Sequence, residues 1–281
     1  MRRGVLIGIT ATAALGAKAL GDIAWKRGTA RSVERLSDRA QPARRHPPPE
    51  FSPDQVEALP GPVQRYFAFA LRPGQRFIES ALSVQQGEFA INPGQWRPFT
   101  ATHHATVRPP GFVWDAIIRM APGMPMRVRD SYIGGVGRMH GRFAGLVPVV
   151  DQSGTPEMAS GSLHRYLAEA PWIPTALLPA AGVTWAAIDE ARARATISDF
   201  GTTVSVEFEF DERGAIVGMS AERFRDVGGT AVLTPWAGRF RSYREIGGMQ
   251  VPEEGEVSWI LPEGPHTYWR GRITEVSYMT D

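Results

Sequence analysis

Residues Gly161–Pro179 read GSLHRYLAEAPWIPTALLP. Leu163, Tyr166, Leu167 and Ala170 recur at i, i+3, i+4 and i+7, which is one face of a helix. Upstream, Thr155 and Pro156 read as an N-cap and a first-turn proline, followed by Glu157. Pro171 stops the helix, because a proline disfavours helical geometry at the residue before it. Trp172 stands between Pro171 and Pro174, so its backbone is stiff and its ring is held in place. Ile173, Leu177 and Leu178 continue the apolar surface and suit burial or a lid. Arg165 and Glu169 are four apart and share a face. The plain reading of that pair is a solvated salt bridge; the sharper one is a polar group lining a pocket under the helix.

Outward from this stretch the pattern is β on both sides. Before it, Ile78–Ile91, Trp96–Val107, Gly111–Met120, Met126–Ile133 and Val136–Leu146 are separated by Pro/Gly turns at hairpin spacing. Phe112, Trp114, Ala116, Ile118 and Met120 alternate on one apolar face, with Asp115 and Arg119 on the other, as in a half-exposed antiparallel strand. Asp130 shares a face with Val128 and Tyr132. An acid on an apolar face needs a partner, and Arg138 or Arg142 on the next strand is the expected one.

After it come Val183–Ile188, Ala193–Asp199, Thr203–Phe210, Ala215–Phe224, Arg239–Ile246, Gly255–Leu261 and Tyr268–Tyr278. Val204, Val206, Phe208 and Phe210 alternate cleanly with polar residues, and Asp211–Gly214 reads as a hairpin turn. Roughly a dozen strands favour a curved or closed antiparallel sheet over a flat open one. Ser52-Pro53-Asp54 opens a helix that Pro60 and Pro62 divide.

The N terminus differs in kind. Arg2 and Arg3 precede an uncharged run, Gly4–Ala17, which fits a membrane anchor or a signal peptide h-region. Both readings stay open, beside a buried N-terminal helix. The first fifty residues carry ten basic and four acidic side chains, and the remainder twenty-one basic and twenty-five acidic. The globular part is therefore mildly acidic and has no nucleic-acid footprint. The basic segment beyond the run suits anionic lipid, and His46-Pro47-Pro48-Pro49 reads as a stiff linker. The organisation expected is a signal-like or anchor segment over 1–25, a basic, proline-rich linker over 26–50, and a single β-rich domain over 51–281.

No cysteine is present, which excludes disulfides, thiolate metal sites and cysteine nucleophiles. There is no nucleophile elbow, P-loop or zincin motif, and the glycines Gly135, Gly137 and Gly141 miss the dinucleotide spacing. His103 and His104 are adjacent in a strand and face opposite sides. Trp236 and the run Tyr268–Arg272 set aromatics beside arginines, which suits cation–π packing or a pocket for an apolar ligand with an anionic head.

The runs PGPVQRYF, PPGFVWDA, VRDSYIGGVGRM, LVPVVDQSG, HRYLAEAPWIPTALLP and YWRGRI together resemble a family of bacterial proteins of unknown function. The resemblance covers the chain from about Leu59 onward. It implies an N-terminal membrane anchor and carries no catalytic residue. By fold analogy alone, a curved antiparallel sheet with central helices is similar to the half-barrel of lipoprotein carriers.

The reading is an α+β fold: a strongly curved, half-barrel-like antiparallel sheet with Glu157–Pro179 as a central helical plug on its concave side, plus an N-terminal helical segment. The function expected is a membrane-associated binding protein for a lipid or other apolar small molecule. A hydrolase-like enzyme and a protein-binding scaffold are the alternatives. Trp172, Arg165, Glu169, Tyr166, Asp115, Asp130 and Trp114 are the candidate ligand-binding residues. No catalytic residue, metal ligand or cofactor is assigned. The location expected is the membrane, through a single N-terminal anchor, with export as the other possibility.

Overall fold

A computed structural model describes residues 2–40 and 50–280, with side chains from residue 18 onward. Helix α1 spans Arg2–Ala40, α2 spans Gly61–Ala70, and α3 spans Pro156–Glu169. Strands β1 (Ser80–Ala90), β2 (Trp96–Thr106), β3 (Gly111–Ala121), β4 (Met124–Ile133), β5 (Val136–Phe143) and β6 (Val147–Ser153) precede α3. Strands β7 (Thr184–Ala187), β8 (Arg192–Asp199), β9 (Thr202–Phe210), β10 (Ile216–Val227), β11 (Thr230–Ile246), β12 (Met249–Leu261) and β13 (Gly264–Met279) follow it.

All thirteen strands form one antiparallel sheet, in the order β6-β5-β4-β3-β2-β1-β13-β12-β11-β10-β9-β8-β7. Each half is a meander of successive hairpins, and the pairing of β1 with β13 joins the halves. The sheet is not closed: β6 and β7 are its free edges. It is strongly curled, because α3 packs at once against β3, β4 and β5 of one half and against β9 and β10 of the other.

A row of glycines lies where the two halves join. Gly87, Gly271 and Gly255 lie side by side on β1, β13 and β12. A Cβ at Gly87 would stand 2.1 Å from the carbonyl oxygen of Arg270, so no side chain fits there. Two indoles cover the bare backbone. Trp269 packs over Gly271 and Gly255, and Trp172 comes down beside it, with ring centroids 6.2 Å apart.

The expected α3 is present with its cap: Thr155 Oγ1 accepts from the backbone N–H of Met158 at 3.2 Å. Three short 3-10 turns, Ala170–Trp172, Pro174–Leu177 and Pro179–Ala181, carry the proline-framed segment across the core. Leu163, Leu167 and Leu177 are fully buried in it. Proline sets the form of this segment: each turn takes a proline in its first positions, where the missing N–H costs nothing.

Three features differ from the sequence reading. Val147–Ser153 is an edge strand, though almost every residue is exposed and no alternating apolar face marks it. Strand β11 begins at Thr230 despite Pro235; pairing with β12 starts only at Trp236, so the proline's missing donor is not required. Residues 26–40, expected as linker, continue α1. Residues 41–49, with the His46–Pro49 run, lie outside the described residues, as do the side chains of the anchor-like run apart from its glycine backbone. Among the described residues, no helix is long and apolar enough to cross a membrane.

Candidate functional site

Between α3 and the concave face lies a cavity of about 630 Å3. That is within the range of about 300–1,000 Å3 found for small-molecule sites, which are mostly apolar with a few placed polar groups. Five of the eight tryptophans line it: Trp114, Trp172, Trp236, Trp259 and Trp269. Strand alternation explains the convergence. Trp114 is inward on β3, Trp236 on β11, Trp259 on β12 and Trp269 on β13, while Trp172 descends from the turn after α3. Phe89, Phe240, Met126, Met139, Met158 and Met219 complete the apolar wall.

One ionic cluster is set into this wall. Arg165 on α3 donates from Nη1 to Asp130 Oδ2 on β4 at 2.7 Å, and from Nε to Glu169 Oε1 at 2.7 Å. Its guanidinium lies over Phe112 at 5.0 Å and Trp114 at 4.9 Å. The three side chains are only 15%, 7% and 20% exposed, so this is a buried triad and not a solvated pair. Burial alone would lower the Arg165 pKa, but Glu169 and Asp130 outweigh it and raise the value above the ordinary one. The partner of Asp130 is therefore Arg165, and not Arg138 or Arg142; Arg138 pairs instead with Asp151.

His103, inward on β2, places Nε2 3.6 Å from Glu169 Oε2. That is too long for a hydrogen bond. Burial, then the nearby Arg165 charge, pushes the His103 pKa down to about 3, so the ring is neutral and the contact is not an ion pair. The space beside the two groups is about 20 Å3, room for a water and no substrate. His104 faces the opposite side of the sheet.

The seven residues singled out from sequence separate into three places. Trp172, Arg165, Glu169, Asp130 and Trp114 line the large cavity. Tyr166 lines only the small space under α3. Asp115 is on the convex face, where it accepts from Trp25 Nε1 at 2.8 Å and from Thr29 Oγ1 at 2.7 Å. Its place in the ligand-binding set is thus corrected: Asp115 anchors α1, on the side of the sheet away from the cavity. The outward parity of Asp115 on β3 already carried that signal.

Two arginines on β10 were missed. Arg223 donates from Nε to the Gly161 carbonyl at 3.0 Å and lies over Trp236 at 4.8 Å. Arg225 also lines the cavity, and its Nε is buried with no protein partner. Their i, i+2 spacing places both on the concave face, but nothing local says that an apolar cavity lies there. Among the described residues, no group of acids and histidines is arranged to hold a metal ion.

A family model described as a family of unknown function (DUF6920) matches residues 57–278. No curated protein matches the chain. Among solved structures, the chain is similar to a LolA superfamily protein from Nitrosomonas europaea, at 9% identity and a TM-score of 0.41, over 78% of this chain and 92% of that one. It is also similar to a β-barrel-like protein of a domain of unknown function (DUF1849) from Brucella abortus, at 8% identity and a TM-score of 0.23, over 72% of this chain and 99% of that one.

Proposed function

We propose a function for this chain, which belongs to the DUF6920 family of unknown function: it is a membrane-associated binding protein for a lipid or other apolar ligand. The observation that carries this reading is the convergence of five indoles on one cavity of about 630 Å3. Such a wall gains free energy by removing apolar surface from water, about 25 cal/mol per Å2 of apolar area buried. In this reading α3 and the Trp172 turn act as the plug that closes one side of the cavity. Trp172, Trp114, Arg165, Glu169 and Asp130 form its wall, with the triad holding α3 in place and not acting on the ligand. Membrane association rests on the run Gly4–Ala17, which would either anchor the chain or direct its export.

The test uses the tryptophans themselves. Full-length protein is titrated with dibrominated stearic acid, whose bromines quench indoles at contact. Saturable quenching, displaced by unbrominated stearic acid, is the expected result. An unquenched protein that also carries no extractable lipid on purification would sink the reading.

A further inference from the structure

Helix α1 runs along the outside of β3 and β4. Leu36 packs beside Gly111, Gly28 beside Arg129, and Gly21 against Gly145 and Leu146 in the β5–β6 turn. The helix therefore reaches one end of the sheet at Gly21. Asp22 is fixed there by Arg127 at 3.1 Å. The nineteen residues Arg2–Leu20 continue the same helix past that end, about 28 Å at 1.5 Å per residue.

The end at which the helix emerges is apolar. Beside it Met124 at the start of β4, Leu146 in the β5–β6 turn, and Val147 and Val149 on β6 stand exposed, with Leu20 and Ile23 on the helix. Across the cavity, Val227, Val232, Leu233 and Ile260 are exposed at the same end of β10, β11 and β12. With Phe224, eleven of the sixteen large apolar side chains exposed among the described residues belong to this one end. Isolated exposed apolar residues need no explanation, but a concentrated set marks a binding surface. The two groups form one rim: Gln152 of β6 donates to Asp226 of β10 at 3.2 Å, and Val149 and Phe224 also line the cavity.

We infer that this end of the sheet is a membrane-docking surface, seated on a lipid bilayer with the cavity rim toward it. The bilayer is the occupant because the apolar run Gly4–Ala17 leaves the domain there, on a helix fixed to the sheet. A segment entering lipid from that point brings the rim to the headgroup level. Lys18 and the exposed Lys26 flank Leu20 and Ile23 on the same helix, where basic side chains meet anionic headgroups. The inference rests on the membrane association proposed above and adds which surface docks. It does not need the cavity to hold a ligand.

The chain has no cysteine, so a single one can be placed at will. Full-length Val147→Cys, Leu233→Cys and, from the opposite end, Ile188→Cys are labelled with a nitroxide. Each is reconstituted into vesicles of phosphatidylcholine and phosphatidylglycerol, and collision with oxygen is compared with collision with a water-soluble nickel complex. The expected result is a several-fold higher oxygen-to-nickel ratio at positions 147 and 233 than at 188. Equal, water-like ratios at all three positions overturn the proposal. So does spin–spin broadening at 147 and 233 with no lipid contact, which would mean a second copy covers the rim. Lipid-exposed labels on a protein that fails the quenching titration would keep the docking surface and reject the carrier reading. Water-exposed labels on a protein that binds ligand would do the reverse.

Discussion

Arg165 and Asp130, thirty-five residues apart, meet at 2.7 Å inside the molecule, and this contact ties α3 to β4. Removing the guanidinium leaves two buried carboxylates without their counter-charge. Loss of one member of a buried ionic group costs about 3–5 kcal/mol. Arg165→Ala should lower the urea-unfolding free energy by that order, and Arg165→Lys should recover only part of it, because a lysine cannot bond both acids in a fork. An Arg165→Ala protein of unchanged stability would show that the triad does not hold α3.

His103 and His164 give a pH signature. Burial is the main cause for both, pushing His103 to about 3 and His164 to about 4 from 6.5. A folded pKa below the unfolded one means that the unfolded chain takes up a proton which the folded chain refuses. Stability is therefore full above about pH 7. It falls as pH drops below 6.5, by about 1.4 kcal/mol per pH unit for each histidine, until the folded pKa is reached. Urea unfolding at pH 7, 6 and 5 checks this, and His103→Gln should flatten the dependence between pH 6 and 5.

Helix α3 crosses β5 where only a glycine fits. A Cβ at Gly137 would stand 2.3 Å from the carbonyl oxygen of Met158, and backbone cannot swing aside as a side-chain tip can. Gly137→Ala should cost about 2–3 kcal/mol, as overpacking does. Differential scanning calorimetry reads it as a lower Tm.

Trp25 fastens α1 to the sheet. Its ring lies under the Arg129 guanidinium at 4.6 Å and against His140 at 5.3 Å, and its Nε1 donates to Asp115. Trp25→Ala should weaken docking of the helix by about 3–5 kcal/mol. Trypsin should then cut after Lys26, Arg27 or Arg31 much faster than in the parent, while β1–β13 stay resistant.

Arg225 is the cavity cation with an unpartnered buried Nε. If an acidic headgroup pairs with it, Arg225→Gln should weaken stearate binding roughly tenfold, or about 1.4 kcal/mol, the lower range for a hydrogen bond to a charged group. Binding of the methyl ester should be unchanged. The quenching titration measures both, and equal losses for acid and ester would remove Arg225 from the headgroup role.

Features that depend on neighbours in the chain are legible in the residues. The Thr155 cap, the Pro171 stop, the hairpin at Asp211–Gly214 and the alternation from Val204 to Phe210 are local choices, and each appears where the residues require it. Alternation also sorts each strand into two faces, which sets Trp114 and Asp115 on opposite sides. Parity does not say which face looks inward once a sheet curls. The β1–β13 pairing, which joins Ser80 to Met279, brings the two halves together, and Trp269 and Trp172 pack onto the bare backbone of Gly271 and Gly255 beside that seam. From this long-range closure follow the placement of Arg223 and Arg225 in the cavity, the pairing of Asp130 with Arg165, and the surrender of Asp115 to Trp25. Each joins residues whose separation in sequence carries no periodic signal, so they meet through long-range packing.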